Sequence, residues 1–160
     1  MDQEHEGRLT LASSRRISVL RGGLDDIEDP ADEALASGTP RPALTSISVR
    51  RSGQTLTATT SLALTGRVLS GSATCTDGDR ERAIALATLD ALRPLLPEPV
   101  DVQSATIVAI PGRKVALTVV EFPDEPAPYQ LLVGSALVRG DVEDALARSV
   151  LSALNRRLDS

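Results

Sequence analysis

The amino-acid sequence predicts an α+β fold: a duplicated βββα unit, with antiparallel strands and two helices packed on one side. Three observations carry this reading. Leu69-Ser70-Gly71-Ser72-Ala73 resembles Leu132-Val133-Gly134-Ser135-Ala136, and the helical stretch from Ala83 to Leu92 resembles that from Ala145 to Leu154. The glycines lie 63 positions apart and the helix leucines 62, so one residue of slip aligns two copies of one supersecondary unit. Leu56, Ala58, Thr60, Leu62 and Leu64 alternate with Thr55, Thr57, Thr59 and Ser61, the period of a strand with one buried and one polar face. Acidic residues stand before both helical stretches, Asp77 and Asp79 before the first and Asp141 before the second. There a carboxylate accepts from the unpaired N–H groups of a first helical turn.

In chain order, residues 1–42 are rich in Asp and Glu, poor in large apolar side chains, and close on Gly38-Thr39-Pro40-Arg41-Pro42. This composition is expected to give a mostly disordered acidic tail and linker, with the folded domain over residues 43–160. Leu44 to Arg51 alternates around Ile47 and Val49 as a first strand, and Ser52-Gly53 turns it into the second. Gly66 leads into a third strand, Val68 to Cys75. A helix follows from about Asp79 to Arg93, with Ala85, Leu89, Leu92 and Leu96 on its buried side and Pro94 and Pro97 ending it.

The second half repeats the order. Val102 to Ile110 and Val115 to Phe122 are strands joined by Pro111-Gly112, the latter strand apolar on both faces. From Tyr129 to Val138, Leu131, Val133, Ser135 and Leu137 alternate with Leu132, Gly134, Ala136 and Val138, so both faces of this strand are expected to be covered. Gly140 breaks the strand. Asp141 then caps the last helix, with Glu143 and Asp144 in the first turn, where the helix dipole favours negative charge. Val142, Leu146, Val150, Ala153, Leu154 and Leu158 form its apolar stripe.

The net charge of −5 argues against nucleic acid, whose phosphates need a basic surface, and Phe122 and Tyr129 are too few aromatic side chains to stack bases. Cys75 is the only cysteine and His5 the only histidine, so an internal disulfide and a zinc site both lack partners. No apolar run approaches the length of a membrane helix and no signal peptide opens the chain, so the expected compartment is the cytoplasm. No nucleophile elbow, zinc-protease helix or phosphate-binding glycine loop is present, and no catalytic residue, metal or cofactor is assigned.

Gly134, Asp141-Val142 with Ala145, and Ala153-Leu154-Asn155-Arg156 carry a likeness to a known family. With the doubled βββα order, the span from Leu44 to Leu158 resembles the C-terminal regulatory, or dimerisation, domain of α-isopropylmalate synthase, standing here without the catalytic barrel. The Gly-x-Gly-Pro-x-Asp-Ala pattern of that family is reduced to a glycine and an aspartate in Gly71-Ser72-Ala73-Thr74-Cys75-Thr76-Asp77. The resemblance implies a homodimer that binds a small-molecule effector near its interface.

Gly71, Asp77, Gly134 and Asp141 are accordingly the candidate ligand or interface residues, and Asp79, Asp141 and Asp144 the candidate helix caps. The expected function is a non-catalytic regulatory module that dimerises, binds a small ligand, or both. The alternative is a protein-interaction adaptor whose partner docks on residues 15–33, through the acidic tail or the patch Arg15-Arg16-Ile17-Ser18-Val19-Leu20.

Overall fold

The structure is a computed structural model that describes residues 38–97, 99–124 and 126–158. The tail expected over residues 1–42, His5 and the candidate docking stretch 15–33 thus fall wholly or almost wholly outside the described residues. Strands β1 (Ala43–Ser52), β2 (Thr55–Leu64) and β3 (Arg67–Thr76) lead through a 3-10 turn at Asp77–Asp79 into helix α1 (Arg80–Leu92). Strands β4 (Asp101–Ile110), β5 (Arg113–Phe122) and β6 (Gln130–Leu137) lead into helix α2 (Val142–Leu158). The βββα unit occurs twice, and the strands form two separate antiparallel sheets, β1-β2-β3 and β4-β5-β6. Both sheets carry a register shift near the start of their first strand, between Leu44 and Ser46 in β1 and between Val102 and Ser104 in β4. A bulge kept in both copies at the same place marks them as one repeated design.

Alternation decides which side chains enter the core. On β2, Leu56, Ala58, Thr60 and Leu62 are buried, and on β5, Ala116, Thr118, Val120 and Phe122. One apolar cluster joins Leu62 and Leu69 of the first sheet to Leu89 and Leu92 of α1, Val102 and Val120 of the second sheet, and Val150 and Leu154 of α2. Each helix lies on the inner side of its own sheet, α1 on β2 and β3 and α2 on β5 and β6. Each also meets the other helix and the first strand of the other sheet. The two helices therefore fill the space between the inner faces of the sheets.

That position makes the buried arc of each helix wider than a single stripe. Alongside the expected Ala85, Leu89 and Leu92, α1 buries Ala83, Ile84, Ala87, Thr88 and Ala91. In α2, Ala145, Leu146, Ala147, Ser149, Val150, Leu151, Ala153 and Leu154 are buried at the equivalent positions. Four alanines in α1, and three alanines with Ser149 in α2, make up half of each set, since a helix walled by a sheet and a neighbouring helix needs short side chains where the backbones come close.

Two hydroxyl pairs cross this core. Thr60 Oγ1 lies 3.3 Å from Thr88 Oγ1, and Thr118 Oγ1 lies 2.6 Å from Ser149 Oγ. The helix hydroxyls donate to their own backbone, Thr88 to Ile84 O at 2.9 Å and Ser149 to Leu146 O at 2.7 Å. Each has spent its one proton, so the strand threonine is the donor within each pair. Ser149→Ala is expected to destabilise by about 1–3 kcal/mol, because it strands the buried Thr118 hydroxyl. Adding Thr118→Val should recover part of that loss. Urea titrations of the two single variants and the double would show the recovery as a non-additive cycle.

Candidate functional site

Gly71 and Gly134 sit where each third strand passes beneath its helix. A Cβ on Gly71 would collide with Ala91 N and Ala87 O and lie 2.7 Å from the Asp90 carbonyl carbon. One on Gly134 would collide with Ser149 O and Ala153 N and lie 2.8 Å from Ala153 Cβ. The contacted helix positions correspond between the copies. The conspicuous repeat in the sequence is thus a packing device, and both glycines are buried under their own helices.

The acidic residues gather where the two helices begin. Asp141 Oδ1 accepts from Glu143 N at 3.0 Å, and Ala145 N donates to Asp141 O at 3.3 Å, the first bond of α2. Asp79 occupies the N-cap position of α1, but its carboxylate makes no cap hydrogen bond. It accepts instead from the Thr76 hydroxyl at 3.3 Å, because the 3-10 turn brings Thr76 within reach. Asp144 pairs with Arg148 one turn on, at 2.8 Å. Asp77 pairs with Arg51 at the end of β1.

Arg80 of α1 pairs with Glu143 of α2 and so bridges the two units at their helix starts. The hydrogen bond from Asp141 and the contact with Arg80 pull the Glu143 carboxyl from its ordinary 4.5 down to about 2. The hydrogen bond with Glu143 and partial burial raise Asp141. Of the two carboxyls, Glu143 is the more acidic and Asp141 the less. Among the described residues, no group of three or more His, Cys, Asp or Glu side chains is placed to hold a metal ion.

A pH dependence follows. A lowered carboxyl favours the folded state above its unfolded pKa, and that contribution is lost as pH falls through the folded value. For Glu143 the window runs from about 4.5 down to about 2. Asp141 has the opposite sign, its contribution present in acid and lost as pH rises through its raised pKa. Glu143→Gln removes the larger shift and releases Asp141, so stability should fall less steeply with acid in this variant than in the parent. Urea unfolding at a series of pH values between 5 and 2 would check it; parallel curves would count against the pair.

The outer faces of the two sheets differ. The first sheet presents mainly hydroxyls, with Val68 exposed at one end: Ser48, Thr59 and Ser72 stand in one row across the strands, and Ser46, Ser61 and Ser70 in the next. Thr57 and Thr74 lie 3.1 Å apart and Ser61 and Ser70 3.3 Å apart at their side-chain oxygens. The second sheet presents aliphatics: Val108, Val115 and Leu137 form one row, and Val119 stands beside Val133. Val133 is 65% exposed, Leu131 47% and Ile110 45%. The expectation that β6 is covered on both faces is therefore corrected. Its inner set packs under α2, but no described element lies over Leu131, Val133 and Leu137, because the only helix of this unit occupies the other face.

Beside β6 a groove of about 800 Å³ opens between Gln130–Val133 and the last turns of α2. Arg41, Arg156 and Arg157 line it together with Ser152 and Asn155. Arg157 bonds the Gln130 side chain, lies 3.9 Å from Asp124, and sits over the Phe122 ring at 5.2 Å. The Asn155 Oδ1 atom is buried without a hydrogen-bond partner. In the sequence Arg156 stands out only within the Ala153-Leu154-Asn155-Arg156 likeness. The meeting of Arg156 and Arg157 with Arg41 depends on the chain entering β1 beside the end of α2, which local patterns do not encode.

No helix among the described residues is long and apolar enough to cross a membrane. No protein-family model matches the chain, and no curated protein matches it significantly.

Proposed function

We propose that this chain is a non-catalytic regulatory module that pairs with a second copy of itself through the outer face of the β4-β5-β6 sheet. The observation that carries the reading is the contrast between the two outer faces. The two units share one fold, so the Ser/Thr face of the first sheet demonstrates that the architecture does not require aliphatic side chains there. The second unit nevertheless places Val108, Ile110, Val119, Leu131, Val133 and Leu137 outward. A contiguous patch of this kind is seldom left in water and marks a contact surface. A two-fold pairing lets one self-complementary face bury itself, the commonest arrangement among soluble assemblies.

The regulatory part of the reading is that a small effector alters this pairing. The groove beside β6 supports it, since Leu131 and Val133 belong both to the groove wall and to the outward face. Sedimentation at micromolar concentration should give a dimer. Val119→Glu combined with Val133→Glu should weaken pairing by about a hundredfold or more, because each pairing would bury unpaired carboxylates. Far-UV circular dichroism should be unchanged, since both positions lie outside the core. A parent chain whose mass stays monomeric at all concentrations would overturn the reading.

A further inference from the structure

Along β5 the outward side chains read Arg113, Val115, Leu117, Val119 and Glu121, since the alternate set from Ala116 to Phe122 is buried. The run is symmetric about Leu117 in its apolar part and opposite in charge at its two ends. The flanking strands carry the same polarity. At one end Ile110 of β4 stands opposite Arg113, and Arg139 follows two residues past Leu137 of β6. At the other end Asp101 of β4 stands opposite Glu121. This face is therefore basic at one end, largely aliphatic in the middle and acidic at the other end. The first sheet lacks these charges: the positions equivalent to Asp101 and Glu121 are Ala43 and Ala63, paired in the same register, and the equivalent of Arg113 is Thr55. The fold does not require them. Nor does the chain use them, for among the described residues Arg113, Arg139, Asp101 and Glu121 form no ion pair. Asp101 accepts only from the N–H of Val102, at 2.8 Å.

We propose that the second copy docks with its strands reversed, about a two-fold axis that crosses β5 at Leu117 at right angles to the strands, so that Arg113 of each chain meets Glu121 of the partner subunit. This rests on the pairing of outer faces proposed above and supplies its orientation. Two sheets packed face to face keep their strand directions nearly aligned, and a two-fold axis can achieve this in two ways. With the axis along the strands, like ends meet: Arg113 would face the partner's Arg113, and Glu121 the partner's Glu121. With the axis across the strands, each end meets its opposite. Leu117 then meets the partner's Leu117, Val115 meets the partner's Val119, and symmetry repeats the Arg113 pair at the far end. Like charges set against each other across an interface are costly, and unlike ones fix its register. Charge thus selects the second arrangement. It also selects a second copy as the occupant, because a face whose two halves complement each other fits itself.

The test reverses one end at a time in the full chain. Arg113→Glu with Arg139→Glu makes both ends acidic, and Asp101→Arg with Glu121→Arg makes both basic. In sedimentation at micromolar concentration, each variant alone should pair about tenfold or more weakly than the parent. Mixed in equal amounts, the two should pair at least as tightly as the parent, because an all-acidic face then meets an all-basic one. Recovery on mixing also shows that both variants are folded. Raising the salt concentration should weaken pairing of the parent and strengthen that of each variant alone. The orientation is overturned, and the pairing of outer faces left standing, if the parent pairs but either variant alone pairs as tightly, or if mixing brings no recovery. A parent that stays monomeric overturns both.

Discussion

Gly134→Ala is expected to destabilise the protein by about 3 kcal/mol or more, the upper range for overpacking, and to abolish a cooperative transition if the total stability is no larger. The added methyl has nowhere to go. Its neighbours are backbone atoms of α2, Ser149 O and Ala153 N, which cannot rotate aside as a flexible side chain would. Relief requires lifting α2 from β6, and the same movement unpacks Leu146, Val150 and Leu154 from the sheets. Gly71→Ala should behave alike, since it meets Ala91 N and Ala87 O of α1. Gly112→Ala is the control: its φ is +73°, and no atom lies within 4 Å of the added carbon. Only the left-handed backbone penalty of about 1–2 kcal/mol applies there. Urea midpoints for the three variants should therefore separate into two groups. Equal midpoints would mean that α2 can rise from β6 without loss.

Leu154→Ala is expected to destabilise by about 2–5 kcal/mol. The side chain is fully buried in the cluster that joins both helices to both sheets. Its removal loses transfer free energy and leaves a cavity in this cluster that strands tied into hydrogen-bonded ladders cannot readily collapse to fill. Val133→Ala removes an aliphatic group of similar kind from the same unit, but from the outer face. In a chain held monomeric, that change should lie within about 0.5 kcal/mol of the parent. Under the proposed pairing, Val133→Ala should instead lower the apparent stability, and the deficit should grow with protein concentration. Denaturation at two protein concentrations would separate the core role of Leu154 from the surface role of Val133.

The element order and the repeat were legible because their causes are local. Period-two alternation through β2, the turns at Gly53 and Gly112, and the apolar helical runs each depend on neighbours in sequence. The paired glycines were legible as a repeat, though their purpose was not: the backbone atoms that exclude a Cβ belong to the helices. Asp141 could be read as a cap because the bonded N–H lies two residues away. Asp79 was misread as one because the 3-10 turn before α1 redirects its carboxylate to Thr76. Ser149 and Thr118 carry no sequence signal of a buried pair, since a hydroxyl in a helix ordinarily reads as a solvent-facing group.

The sequence alone determined that this protein is a twice-repeated βββα chain with an aliphatic core, and that β5 is apolar on both faces. Tertiary structure decided what each face is for. Two helices placed between two sheets can cover one face of each, so Ala116, Thr118, Val120 and Phe122 became core while Val115, Leu117 and Val119 were left on the outside. It also decided that the strands form two sheets, that Arg41 joins Arg156 and Arg157 around one groove, and that Asp90 accepts from Ser72 N at the edge of β3. Each of these depends on contacts between residues far apart in the chain. Periodicity reports which side of an element is apolar, and only packing assigns that side a neighbour.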